Sequence, residues 1–153
     1  MVTLLCGPPC AGKTTLARNL AQPGEALLDF DDICVELGST HQWAHPPHIR
    51  AQAEHLMRAR MRHLRLAAAG GYVIRTAPAA HQRAALAGLL RATRVWVVDP
   101  GMQECLRRAH TRPRGTARAI RRWYARYTPS PVDQPCPWVD TPPAQPLSTS
   151  RVW

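Results

Sequence analysis

Apolar residues gather in four short runs along the chain: VTLLC over 2–6, ALLDF over 26–30, YVIRT over 72–76 and RVWVV over 94–98. Short, nearly continuous runs of this kind suit strands buried on both faces of a parallel sheet. Between them the apolar spacing shifts to three and four residues. A helix is predicted over 14–22, stopped by Pro23-Gly24. A longer one is predicted over 47–69, with proline in its first turn and Gly70-Gly71 beyond its end. Its Ile49, Ala53, Leu56, Met57, Met61, Leu64 and Ala68 fall on one stripe. Further helices are expected over 79–91, 102–110 and 116–127, the last with Ile120, Trp123, Tyr124 and Tyr127 on its core face. Residues 33–46 resist assignment, because Gly38-Ser39-Thr40 and Pro46-Pro47 break any long element.

The alternation of strand and helix implies an α/β domain: a three-layer, doubly wound parallel sheet. From Thr128 the composition changes, and residues 128–153 hold seven of the chain's 15 prolines. The expected division is a domain over 1–127 and a Pro-rich tail over 128–153. That tail is either disordered or an extended arm pinned by Trp138.

Composition adds limits. No apolar run approaches the ~18 residues of a membrane helix. The first strand follows Met1 directly, leaving no room for a secretory signal, so a soluble, cytoplasmic protein is expected. Five cysteines without a C-x-x-C pair argue against a disulfide framework or a zinc site. The net charge of +10 points to a polyanionic partner such as nucleic acid. That inference is tempered by the bias of the basic set, in which 19 of 20 residues are arginine in an Ala- and Pro-rich chain, as GC-rich coding would produce.

The same bias makes the single lysine informative. Lys13 sits in GPPCAGKTT, and Gly7-Pro8-Pro9-Cys10-Ala11-Gly12-Lys13-Thr14 satisfies G-x-x-x-x-G-K-[ST] between a strand and a helix. Loop amides at a helix N-terminus favour anions. A compact ammonium on a flexible stem reaches the β- and γ-phosphates as guanidinium does not. Gly7 to Thr15 are therefore read as an ATP (or GTP) site, with Lys13 on the phosphates and Thr14 holding Mg²⁺.

What the nucleotide serves depends on the neighbouring charges. The chain is too short for motor apparatus. Asp29, Asp31 and Asp32 follow the second strand, where a carboxylate can take a proton from an acceptor hydroxyl. A solvated turn and helix cap would use the same residues. The segment Arg107-Arg108…Arg112-Pro113-Arg114 offers cations to a transferring phosphoryl group, or else a solvated face.

With GPPCAGKTT, DFDD, VWVVDPGMQECLRRAHTRPRGT and RRWYARY in these places, residues 2–127 resemble the 5′-kinase domain of polynucleotide kinase. More broadly they resemble small P-loop kinases of the AAA and zeta-toxin type, which implies that the doubly wound sheet is of the P-loop NTPase and kinase type. The resemblance implies that Asp31 is the general base, that Arg114 stabilises the transferring phosphate, and that Arg108 and Arg112 close over the nucleotide. It departs in two places. Ile33 and Cys34 stand where the family carries an acceptor-binding arginine, and Arg75-Thr76 ends the third strand where it carries an aspartate. The implied acceptor is a nucleic-acid 5′ end or a nucleotide. A hydroxymethylated DNA base, a small molecule, and nucleotide binding or hydrolysis without phosphotransfer stay open. His41, His45 and His48 cannot share a helix across Pro46-Pro47 and read better as a loop near the acceptor than as a metal site. Trp43 beside them is either a base-stacking ring or a loop anchor.

Overall fold

The computed structural model describes residues 1–137. Strands β1 (Val2–Cys6), β2 (Ala26–Asp29), β3 (Gly71–Ile74) and β4 (Arg94–Val97) form one parallel sheet in the order β2-β3-β1-β4. Among the described residues six helices accompany them: α1 (Lys13–Leu20), α2 (Phe30–Glu36), α3 (Pro47–Leu64), α4 (Ala80–Leu90), α5 (Met102–Arg108) and α6 (Thr116–Arg126). A 3₁₀ turn over Ala109–Thr111 follows α5.

Alternate residues of each strand feed two separate cores. Leu4, Cys6, Leu28, Val73 and Val95 meet Ile33, Cys34, Ile49, Ala53, Met57, Met61 and Leu90, so α2, α3 and α4 cover one face. Leu5, Tyr72, Ile74 and Trp96 meet Leu16, Ala17, Cys105 and Ile120, so α1, α5 and α6 cover the other. This is the expected three-layer doubly wound sheet. With both faces covered, alternation disappears from the strand sequences and only short apolar runs remain.

The element that the sequence reading lacked is α2. Phe30 belongs to this helix and not to β2. The Asp29 carboxylate caps it by accepting from the Asp31 amide at 3.1 Å. Ile33 and Cys34 bury its inner face, and Gly38, at φ 95°, turns the chain out. Helix α3 stops at Leu64, short of the expected residue 69, and β3 runs from Gly71 to Ile74 instead of 72–76.

Residues 128–137 run against the domain. The Gln134 amide donates to Val95 O at 2.8 Å, making a bridge beside β4, and Val132 packs on the α3–α4 core. The fully buried Arg83 of α4 clasps Asp133 through two 2.7 Å hydrogen bonds. Trp138 and Trp153 lie outside the described residues.

Sheet order places the functional edge. Strands β1 and β3 are neighbours, yet β1 continues into α1 on one face and β3 into α4 on the other. Their C-terminal ends therefore splay open, and such switch points are where open α/β sheets bind ligands.

Candidate active site

A cleft of about 780 Å³ opens at that edge. The phosphate loop forms its floor, because Gly7 to Gly12 join β1 to α1. Gly7 passes so near β4 that an added Cβ would lie 2.3 Å from Val98 O. Gly12 precedes α1 at φ 95°, and Cys10 also takes a positive φ of 63°. Positive φ at two positions within three residues gives the sharply curved backbone of an anion nest.

Lys13 is buried, and its Nζ donates to the loop carbonyls of Gly7 (3.0 Å) and Pro8 (2.7 Å). One of its three N–H bonds is left for a phosphate. Burial pushes the pKa of Lys13 down, and the nearby Asp29 charge pulls it back up. Pro9, Cys10, Ala11, Gly12, Lys13, Thr14 and Thr15 all line the cleft, while Gly7 and Pro8 lie behind it.

The three aspartates separate into three places. Asp29 is buried at the end of β2 and accepts the Thr14 hydroxyl proton at 2.5 Å through Oδ2, while Oδ1 caps α2. Asp31 lines the cleft one helical step further. Asp32 faces outward, in an exposed pair with Arg18 at 3.2 Å.

The Thr14–Asp29 bond bears on Mg²⁺. With its proton committed to Asp29, the Thr14 oxygen keeps lone pairs for a cation. No group of three His, Cys, Asp or Glu side chains among the described residues forms a protein cage. Mg²⁺ in phosphoryl-transfer sites takes one or two protein ligands and completes its shell with phosphate and water, so the residues present fit it.

Asp31 is held by the loop that the sequence left unassigned. Its Oδ1 lies 3.1 Å from His45 Nε2, and His45 Nδ1 lies 2.8 Å from Ser39 Oγ. Ser39 gives its hydroxyl proton to His41 O, which can only accept. Ser39 must then accept from His45 Nδ1–H. The remaining contact, Nε2 to Asp31, needs a proton between two acceptors, so the Asp31–His45 pair carries one shared proton. Burial raises the Asp31 pKa, the Asp29 charge raises it further, and the His45 bond opposes both.

The basic segment closes the cleft from the opposite side. Arg112 places its guanidinium 3.4 Å from the centroid of the Trp43 ring, joining the 3₁₀ turn's exit to the histidine loop across the mouth. Arg114 lines the cleft from an exposed position. Arg108 lies behind the phosphate loop, donating to Cys10 O (3.3 Å) and Ala11 O (3.4 Å), with Glu104 fixing its Nε at 2.6 Å. Arg107 and Arg108 together pull the Glu104 carboxyl down to about 2.

Three further residues complete the wall: Arg50 and Glu54 of α3, and Arg75 past β3. Arg75 pairs with Glu54 at 2.9 Å and lies over the Phe30 ring. Sequence reading noted Arg75 only as a departure from the family pattern. It had no signal for Arg50 and Glu54, which reach the site only because α3 packs beside β2 and α2. Trp123, expected in the core, is buried there and donates to Thr76 O at 2.6 Å.

A family model described as AAA domain matches residues 2–130, spanning the whole sheet and both walls of the cleft. The chain belongs to the AAA domain family. Comparison with curated proteins gave no match. The AAA domain assignment makes this a P-loop, nucleotide-binding enzyme domain of the kinase and ATPase type. No helix among the described residues is long and apolar enough to cross a membrane.

Proposed function

We propose that this AAA domain is an ATP-dependent kinase that moves the γ-phosphate onto a hydroxyl of a nucleic acid or nucleotide, in the manner of a polynucleotide 5′-hydroxyl kinase. The observation that carries the reading is Asp31. A carboxylate lines the cleft across from the phosphate loop, oriented by a buried histidine, while the neighbouring Asp29 is already occupied by Thr14. A domain that only binds nucleotide has no need of a second, separately oriented carboxylate facing the open half of the cleft, where a base would meet the attacking oxygen.

In the proposed reaction Asp31 accepts the proton of the acceptor hydroxyl as its oxygen attacks the γ-phosphorus. The bond to the bridging oxygen breaks and ADP leaves. Lys13 gives its remaining N–H to the phosphate oxygens, its other two being held by the Gly7 and Pro8 carbonyls. Arg114 offers a charge to the transferring group from the mouth. Thr14 would hold Mg²⁺, which when bound neutralises charge on the β- and γ-oxygens. Arg108 acts from behind, fixing the carbonyls of Cys10 and Ala11 so that the loop amides keep their aim. Arg50 and Arg75 stand on the acceptor side and suit an acceptor that is itself anionic.

The test is transfer of labelled γ-phosphate to a set of acceptors: 5′-hydroxyl DNA and RNA oligonucleotides, hydroxymethyluracil-containing DNA, nucleoside monophosphates and hydroxylated small molecules. Asp31→Asn is expected to lower transfer by about 10²–10⁴-fold with nucleotide binding intact. Lys13→Ala is expected to lose both. Tight ATP binding with no labelled acceptor from the wild-type protein would refute the kinase reading.

A further inference from the structure

The outer face of α6 carries one sign of charge. Arg118, Arg121, Arg122 and Arg126 are all exposed, and the helix contains no acidic residue. At 3.6 residues per turn the four lie within an arc of about 140°. Ile120 and Trp123 bury the opposite side.

Among the described residues some arginines elsewhere meet carboxylates, while others, Arg50, Arg58, Arg62 and Arg65 of the α3 region among them, do not. Arg18 meets Asp32, Arg60 meets Glu36, Arg75 meets Glu54, and Arg107 and Arg108 meet Glu104. None of the α6 arginines does. Helix α3 also exposes arginines, but it carries Glu54, which lines the cleft beside Arg50 and pairs with Arg75.

The α6 face is continuous with the site. Arg114, Thr116 and Ala119 line the cleft, and Arg114, Arg118, Arg122 and Arg126 then follow at intervals of four. From Arg118 to Arg126 the helix rises about 12 Å. At the axial rise of about 3.4 Å per nucleotide of a base-stacked strand, that length spans three to four phosphates. The exposed arc holds only arginine and alanine, with no bulky apolar residue to enter a bilayer.

We propose that Arg118, Arg122 and Arg126, flanked by Arg121, form a track for a single nucleic-acid strand that leaves the cleft at Arg114. The inference rests on the kinase reading for its direction: the acceptor end lies at Asp31 and the following phosphates run along α6. It names the acceptor as a strand and not a free nucleotide.

The experiment is a salt series of fluorescence anisotropy with a 3′-labelled, 5′-hydroxyl single-stranded oligonucleotide of about 20 nucleotides, over about 50–200 mM salt. It compares the wild-type protein, the triple variant Arg118→Gln/Arg122→Gln/Arg126→Gln, and a control, Arg58→Gln/Arg62→Gln/Arg65→Gln, on α3 and its C-cap. ATP-analogue binding and thermal midpoints report that each variant is folded. The α6 variant is expected to lower the slope of log K against log salt by about 2, at roughly 0.7 per lost contact. The α3 control is expected to keep it. No oligonucleotide binding, an unchanged slope in the α6 variant, or an equal loss in the α3 control overturns the track.

The two proposals fail separately. Strand binding through α6 with no phosphoryl transfer to any acceptor removes the kinase and keeps the track. Transfer to nucleotides without α6-dependent strand binding does the reverse.

Discussion

Replacing Asp133 by alanine tests what holds the segment after α6 to the domain. Arg83 is fully buried, and all five of its N–H bonds are used. Nε and Nη2 reach Asp133 at 2.7 Å each, Nη1 reaches Ala77 O (3.0 Å) and Pro78 O (2.7 Å), and Nη2 reaches Thr128 O (2.5 Å). The Tyr127 ring lies 5.0 Å from the guanidinium. Asp133→Ala removes the only carboxylate in contact among the described residues and leaves a buried cation with two unmade bonds. Breaking a buried pair in this way costs about 3–5 kcal/mol. At roughly 2–4 °C per kcal/mol for a chain of this size, the midpoint should fall by about 6–20 °C. Urea and thermal unfolding, followed by far-UV circular dichroism, measure it. The double variant Arg83→Met/Asp133→Leu removes both charges and should regain part of the loss. It leaves the Ala77 and Thr128 carbonyls without their donor, at about 1–3 kcal/mol for each group so buried. A loss below about 1 kcal/mol for Asp133→Ala, or a chain ending at Tyr127 that is as stable as the full chain, would refute the argument.

Other outcomes follow from the site. Gly7→Ala forces a Cβ to within 2.3 Å of Val98 O; it should destabilise by about 1–3 kcal/mol and abolish nucleotide binding, and calorimetric titration with ATP would show it. Burial and Asp29 raise the Asp31 pKa, so its ability to accept a proton is lost as pH falls through a value above the ordinary ~3.9. The acid limb of a kcat–pH profile should therefore lie higher than for an exposed aspartate, and His45→Gln should move it higher still. The same raised pKa means that folding disfavours the carboxylate. Asp31→Asn should thus gain stability near neutral pH, with the gain vanishing once the wild-type Asp31 is protonated. Trp43→Ala removes the Arg112 contact at 3.4 Å. It should change global stability by no more than about 1 kcal/mol, while hydrogen exchange across 109–115 quickens.

The sequence by itself determined the layer architecture and the phosphate loop. Both are written locally. Four short apolar runs separated by helical spacing leave few arrangements other than a covered parallel sheet. The loop's function resides in backbone geometry that Gly7, Gly12 and the lone Lys13 announce within eight positions. Helix α2 was missed because seven residues carry too little periodicity to be seen, and its start depends on one side-chain cap.

Only the tertiary structure decided what the three aspartates do. They are equivalent as letters, and what distinguishes them is a partner far along the chain: Thr14 for Asp29, His45 for Asp31, Arg18 for Asp32. The same holds for Arg83, one arginine among 19 until the fold buries it against Asp133, 50 residues away. A buried charge is stabilised only by the groups that surround it. Those groups are gathered by sheet order and helix packing, which no local pattern of residues encodes.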